Sequence, residues 1–221
     1  MGITPEQFSR RSFIHARLVA AGAELEAISD TAVAARYPHT TTPPLGLADL
    51  SPLPRTGLKG PHALAWMREH DWPVPAANNL ASTCETGERV LRLSDREAWV
   101  LGAWGDAGQA VRHLETQIPG AGIWHVPRRD SHAWFLLEGD SATACLAKLC
   151  GVDLRPQVFA CGQVAQTVVA RMNAVVCRDP TDTICRFHLL ADSASAIWFW
   201  DTLLDAMEEF GGGPIGVREL A

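Results

Sequence analysis

From residue 97 onward the hydrophobic period switches repeatedly between two and about 3.6 residues. This rhythm restricts the folds open to the chain more than any single motif does. Residues 97–104 have the period of a strand. Ala107, Ala110, Val111, Leu114 and Ile118 then follow helical spacing, with Asp106 placed to cap and Pro119-Gly120 to stop. Residues 123–126 and 132–137 read as two strands around the polar turn Arg128-Arg129-Asp130. Asp140 or Ser141 caps a helix that carries Leu146 and Leu149 and closes at Gly151. Residues 164–176 are strand-rich, and 183–190 form another strand. Strand, helix, strand, strand, helix, strand is the ferredoxin-like βαββαβ order. It predicts an α+β fold with an antiparallel sheet and helices on one face.

Upstream, residues 89–93 alternate as a half-buried strand does, and Ser94-Asp95-Arg96 turns the chain. Pro61 suits the first position of a short helix bearing Ala63, Leu64 and Met67 on one face, which ends before Trp72-Pro73. Residues 38–60, rich in Pro, Thr and Gly, read as an irregular connector with short strands. Residues 1–8 are expected to fray, and a helix is expected over 13–27. The reading is an N-terminal arm and connector over 1–45, and one domain, of one or two lobes, over 46–221. Ser9-Arg10-Arg11-Ser12-Phe13-Ile14 resembles a twin-arginine export signal, but His15, Arg17, Glu24 and Glu26 interrupt the apolar stretch that such a signal needs. A cytoplasmic location is the expectation.

The helix after Asp192-Ser193 is the most informative. Gly211-Gly212-Gly213-Pro214 ends it, and Ala196, Trp200, Leu203, Met207 and Phe210 make a stripe to bury. Trp198 falls on the opposite face among Asp201, Asp205 and Glu209, where a large aromatic either stands alone or anchors a partner. Glu208 and Glu209 sit where the helix dipole disfavours acids, a cost that a basic surface on another chain would relieve. Arg55 and Lys59, in the connector, are candidates to meet an acidic partner surface. These five residues, Trp198, Arg55, Lys59, Glu208 and Glu209, form the expected partner interface.

Chemistry is hard to find. The chain has 221 residues and a formal net charge of −6, without the basic footprint of a nucleic-acid binder. No apolar run approaches the roughly 20 residues of a membrane span. The six cysteines are dispersed with no CxxC pair, which argues against a zinc or dithiol motif. No Gly-rich dinucleotide loop, phosphate loop, nucleophile elbow or HExxH pair is present. His125 and His132 flank the expected hairpin turn, but a third metal ligand is missing. Cys161 reads as a structural thiol. His188, between Phe187 and Leu189, reads as a hydrogen-bonded histidine in a strand. No catalytic residue and no metal ligand is therefore assigned.

Several stretches together resemble the gamma subunit of heterotetrameric sarcosine oxidase. The first runs from Gly46-Leu47-Ala48-Asp49-Leu50-Ser51-Pro52-Leu53-Pro54-Arg55-Thr56-Gly57-Leu58-Lys59-Gly60-Pro61 to Ala65-Trp66 and Pro73-Val74-Pro75. Val90-Leu91-Arg92-Leu93 and Gln166-Thr167-Val168-Val169-Ala170-Arg171 follow. Phe187-His188-Leu189-Leu190-Ala191-Asp192-Ser193 and Asp205-Ala206-Met207-Glu208-Glu209-Phe210-Gly211 complete the set. The resemblance implies an aminomethyltransferase (glycine-cleavage T-protein, GcvT-like) fold. It also implies alpha, beta and delta partner subunits, with FAD, FMN, NAD and tetrahydrofolate held by those partners. The complex would oxidatively demethylate an N-methyl amine such as sarcosine and pass the one-carbon unit to tetrahydrofolate. This chain would be a non-catalytic member of an oxidoreductase acting on CH–NH donors, able to self-associate when isolated. The alternatives are a freestanding tetrahydrofolate-binding one-carbon transfer protein and a subunit of an N-methylglutamate dehydrogenase-type complex. The stretch Ala160-Cys161-Gly162-Gln163-Val164 departs from the signature of folate-dependent repair factors and weighs against the first.

Overall fold

The computed structural model describes residues 3, 7, 8, 10–181 and 184–220. Ser9, Thr183 and most of the 1–8 terminus lie outside the described residues. Helix α1 (His15–Ala20) leads into a hairpin of β1 (Glu24–Ile28) and β2 (Thr31–Arg36). Then come β3 (Gly46–Asp49), β4 (Arg55–Lys59), α2 (Ala63–Glu69), β5 (Leu80–Thr83), β6 (Arg89–Ser94) and β7 (Glu97–Leu101). They are followed by α3 (Gln109–Gln117), β8 (Trp124–His125), β9 (His132–Glu138) and α4 (Ala142–Ala147). The chain ends with β10 (Val164–Val169), β11 (Met172–Arg178), β12 (Arg186–Asp192), α5 (Ala196–Met207) and β13 (Gly213–Pro214).

Two sheets carry the fold. The first has the order β10-β11-β12-β9-β3-β13 and the second β5-β6-β7-β4-β8. All neighbours are antiparallel except β13 against β3. The side-chain alternation of strands sorts the core into three layers. Ala133, Phe135 and Leu137 of β9 pack with Phe199, Trp200 and Leu203 of α5 and with Cys145 and Leu146 of α4. Trp134 and Leu136, one residue out of phase, meet Leu91, Leu93, Trp99 and Leu101 of the second sheet. Val90, Ala98 and Val100 then face Met67 of α2 and Val111 and Leu114 of α3. The order is helices, sheet, sheet, helices. Strand β9 is apolar on both faces because both are covered.

The α+β class and the antiparallel pairing agree with the sequence reading, but the βαββαβ order is spread over two sheets. Residues 123–126 and 132–137 do not form a hairpin: β8 pairs with β4 in the second sheet, whereas β9 pairs with β3 and β12 in the first. The helix expected over 13–27 stops at Ala20. Gly22, at φ 76°, turns the chain, and Ala23 N–H donates to Leu18 O at 3.0 Å, closing the helix as a Schellman cap does. The supposed arm is built into the core, since Ile14, Leu18 and Val33 are all buried. The connector likewise holds two strands, β3 and β4, whose residues are buried apart from Lys59. Expected caps fare unevenly. Asp106 accepts from the N–H groups of Gly108 and Ala110, at 2.6 and 2.8 Å, and Asp192 accepts from Ala194 N–H at 2.8 Å. Helix α4 has no side-chain cap.

The last residues return to the first. Val217 N–H donates to Ala34 O at 2.9 Å, Arg218 N–H to Ala35 O at 3.1 Å, and the Arg218 guanidinium pairs with Glu26. Gly216 is a glycine of necessity there, because a Cβ would run into the Ala35 backbone.

Candidate functional site

The rim where the two sheets diverge opens into a cleft of about 390 Å³, lined by His132, Gln166, Thr167, Val168, Asn173, Ala174, Val175 and Leu190. Strands β10, β11 and β12 and the start of β9, all in the first sheet, line it. Gln166 spans to the second sheet, its amide N–H groups donating to Asn79 Oδ1 at 2.8 Å and Leu93 O at 2.9 Å. His132 packs edge-on against Trp99 of β7, with ring centroids 4.9 Å apart, and its Nδ1 lies 2.8 Å from Ser131 Oγ. Burial pushes the His132 imidazole down to about 4, and the charges of Arg128 and Arg55 act in the same sense. The ring is therefore neutral near pH 7. Arg128 lies over Trp99, 4.4 Å from the ring centroid, and pairs with Glu97 at 2.9 Å. Neutral hydrogen-bonding groups beside apolar ones suit recognition. The lining contains no carboxylate and no thiol; its titratable or hydroxyl groups are the His132 imidazole and the Thr167 hydroxyl.

Behind the cleft, a buried polar network ties the sheets together. Trp134 Nε1–H donates to His188 Nδ1 at 3.0 Å, and His188 Nε2 lies 2.8 Å from Asp179 Oδ2. An indole N–H can only donate, so His188 Nδ1 must be the acceptor and Nε2–H the donor to Asp179. Arg89, from β6, donates to the same Oδ2 at 2.8 and 3.1 Å, and Thr181 donates twice to Oδ1. Burial alone would push Asp179 up. The bond from His188 and the charge of Arg89 outweigh it and hold the carboxyl far below its usual range. Burial also pushes the His188 imidazole down, against the pull of Asp179. His188 thus occupies the hydrogen-bonded position expected of it. Asp179 was missed, although Asp179-Pro180-Thr181 is a recognisable Asx-turn sequence. Trp134 and Arg89 gave no signal at all.

The other singled-out residues are dispersed. Arg55, expected at a partner surface, is instead 1% exposed. Its guanidinium donates to the carbonyls of Ser51 at 2.8 Å, Leu53 at 3.0 Å, Arg129 at 2.9 Å and His132. A planar fork can reach four carbonyls where a lysine could not. Burial pulls Arg55 down to about 9, partly offset by buried Asp49. Lys59 is exposed and pairs with Glu97 at 3.3 Å. Trp198 is 58% exposed and its neighbour Ile197 45%. Trp198 Nε1–H donates at 3.4 Å to Ala170 O, in a two-residue hairpin turn whose Ala170 and Arg171 both have positive φ. Glu208 is exposed, and Glu209 pairs with this chain's own Lys148 at 2.6 Å. His125 Nε2 meets Thr56 Oγ1 at 2.7 Å and Glu115 Oε1 at 3.2 Å, on a different sheet from His132. Among the described residues, no group of three or more His, Cys, Asp or Glu is arranged to hold a metal ion. No described helix is long and apolar enough to cross a membrane.

No protein-family model matches the chain, and no curated protein does. Solved structures do. One chain of the heterotetrameric sarcosine oxidase of Corynebacterium sp. U-96, solved in complex with pyrrole 2-carboxylate, superposes with a TM-score of 0.68 at 21% identity. The match covers 96% of this chain and 99% of that one. The glycine cleavage system aminomethyltransferase T of Bartonella henselae superposes with a TM-score of 0.72 at 16% identity. It covers 95% of this chain, which spans 60% of the transferase's length. At such identities the likeness concerns the fold. This chain has the aminomethyltransferase-like fold, in a form that matches one whole chain of a heterotetrameric sarcosine oxidase.

Proposed function

We propose that this chain is a gamma-type, non-catalytic subunit of a heterotetrameric flavoenzyme of the sarcosine-oxidase kind. The carrying observation is the end-to-end correspondence with a single chain of such an enzyme, 96% of this chain against 99% of that one. In this reading alpha, beta and delta partners hold FAD, FMN, NAD and tetrahydrofolate, and the complex demethylates an N-methyl amine in the cytoplasm. This chain organises the assembly. Exposed Trp198 and Ile197 supply an apolar anchor on α5, with Glu208 and Glu209 at the end of the same helix. Lys59 lies on the second sheet and would belong to a separate contact.

The test is to tag the chain in its host, purify it gently, identify what accompanies it and record the visible spectrum. Three further chains in equal amount with flavin absorbance are expected. A colourless, solitary protein overturns the proposal, and equilibrium dialysis with tetrahydrofolate then decides for or against the freestanding alternative.

A further inference from the structure

A second cleft, of about 560 Å³, lies on the opposite side of the second sheet from the interlayer core. It is lined by the Asp71-Trp72-Pro73 loop after α2, the 83–88 hairpin and Ala110 of α3. Glu88 is its base. This residue is 0% exposed, and its Oε2 accepts from Thr86 Oγ1. Its Oε1 has no hydrogen-bond partner, and neither does the buried Thr83 Oγ1 beside it in the lining. Among the described residues, no basic side chain pairs with Glu88, Glu85 or Asp71, although the chain's other buried acids each have donors. A buried carboxylate oxygen left without a donor costs several kcal/mol. Such an oxygen takes its donor from outside the protein's own side chains, from a water or a ligand.

The surroundings define what would satisfy it. Three carboxylates call for positive charge. Glu88 Oε1 is an unpartnered acceptor and calls for an N–H donor, Thr83 Oγ1 is a hydroxyl able to donate or accept beside it, and the volume far exceeds that of a bare ion. Trp72, Pro73 and Ala110 add an apolar wall, in which the indole face attracts a cation carrying carbon. Cys84 stays a thiol, pushed up to about 11 by burial and the Glu88 charge, and so adds no competing anion. We propose that this cleft is a binding site for an alkylammonium group, with Glu88 Oε1 accepting from its N–H and Trp72 lying against its carbon. The group could come from a free amine or from the lysine side chain of another protein, and the chemistry is the same. The inference does not depend on the assembly proposed above.

The test is calorimetric titration of the full chain with n-butylammonium chloride, 1-butanol and N-acetyl-lysinamide, together with melting of the wild type and Glu88→Gln. Saturable binding of an ammonium probe but not of 1-butanol is expected, weakened at least about tenfold by Glu88→Gln. The unliganded variant should melt higher than the wild type, because it removes an unpaired buried charge. A preference for butylammonium assigns the site to a free amine, and a preference for N-acetyl-lysinamide to a protein lysine; either upholds the proposal. Absence of saturable ammonium binding, equal binding of 1-butanol, or a Glu88→Gln variant that melts lower than the wild type overturns it.

Discussion

Acidification should loosen this protein through His132 before it protonates the carboxylates. Burial beside Arg128 and Arg55 holds the folded-state pKa of His132 at about 4, against about 6.5 in an unfolded chain. Between those values the unfolded chain binds a proton that the folded one refuses, so stability falls as pH falls. From pH 7 to pH 5 the difference accumulates to about 2 kcal/mol at 1.36 kcal/mol per unit. The partial exposure of the ring to solvent trims this to about 1–2 kcal/mol. His188, also held low by burial, adds a loss of the same sign. The assay is urea unfolding at pH 7 and pH 5 for the wild type and His132→Gln. The variant should lose about 1–2 kcal/mol less than the wild type over that interval. A pH-dependent loss equal in both proteins to within about 0.5 kcal/mol refutes the argument that the cleft keeps this ring neutral.

Asp179→Asn should destabilise by about 3–5 kcal/mol, because an amide N–H would face the donors of Arg89 and His188. The drop in melting temperature should be roughly 6–20 °C for a chain of this size, and thermal scans at pH 7 will measure it. Ala170→Gly should stabilise by about 0.5–1 kcal/mol by relieving the left-handed conformation at φ 50°, read from the urea midpoint. Trp198→Ser should leave the melting temperature within about 2 °C, because the ring is 58% exposed, yet abolish co-purification of partner chains.

The strands and helices were legible in the sequence wherever one face met water. In β6 and in α3, polar residues mark the period of the element. Strands β7 and β9, covered on both faces, were also legible from their apolar runs, and the reading failed where the backbone and its long-range pairing rather than the side chains decide. Residues 46–59 look like a connector because Pro52, Pro54 and Gly57 punctuate them. Tertiary pairing nevertheless draws Gly46–Asp49 and Arg55–Lys59 into separate sheets. No local signal says that 123–126 and 132–137 belong to different sheets, because partner choice is a long-range property. The same limit governs the sites. Arg55 looked like a surface charge because sequence shows the guanidinium and not the four carbonyls around it. Glu88 looked like any acid beside a turn, and only its burial without a donor sets it apart.

The return of the last residues to the first sets a schedule. The β1–β2 hairpin finds its lid only when Gly216, Val217 and Arg218 arrive, and β3 gains its parallel neighbour only with Gly213 and Pro214. Pairings between residues so far apart in the chain, Gly213 with Gly46 and Val217 with Ala34, are slow to form, since loop closure must precede any stabilising contact. Until residues 213–218 arrive, the apolar side of β2 and the flank of β3 stay uncovered. Closure therefore waits for residues 213–218, and any partner that reads the closed surface meets a chain synthesised at least that far.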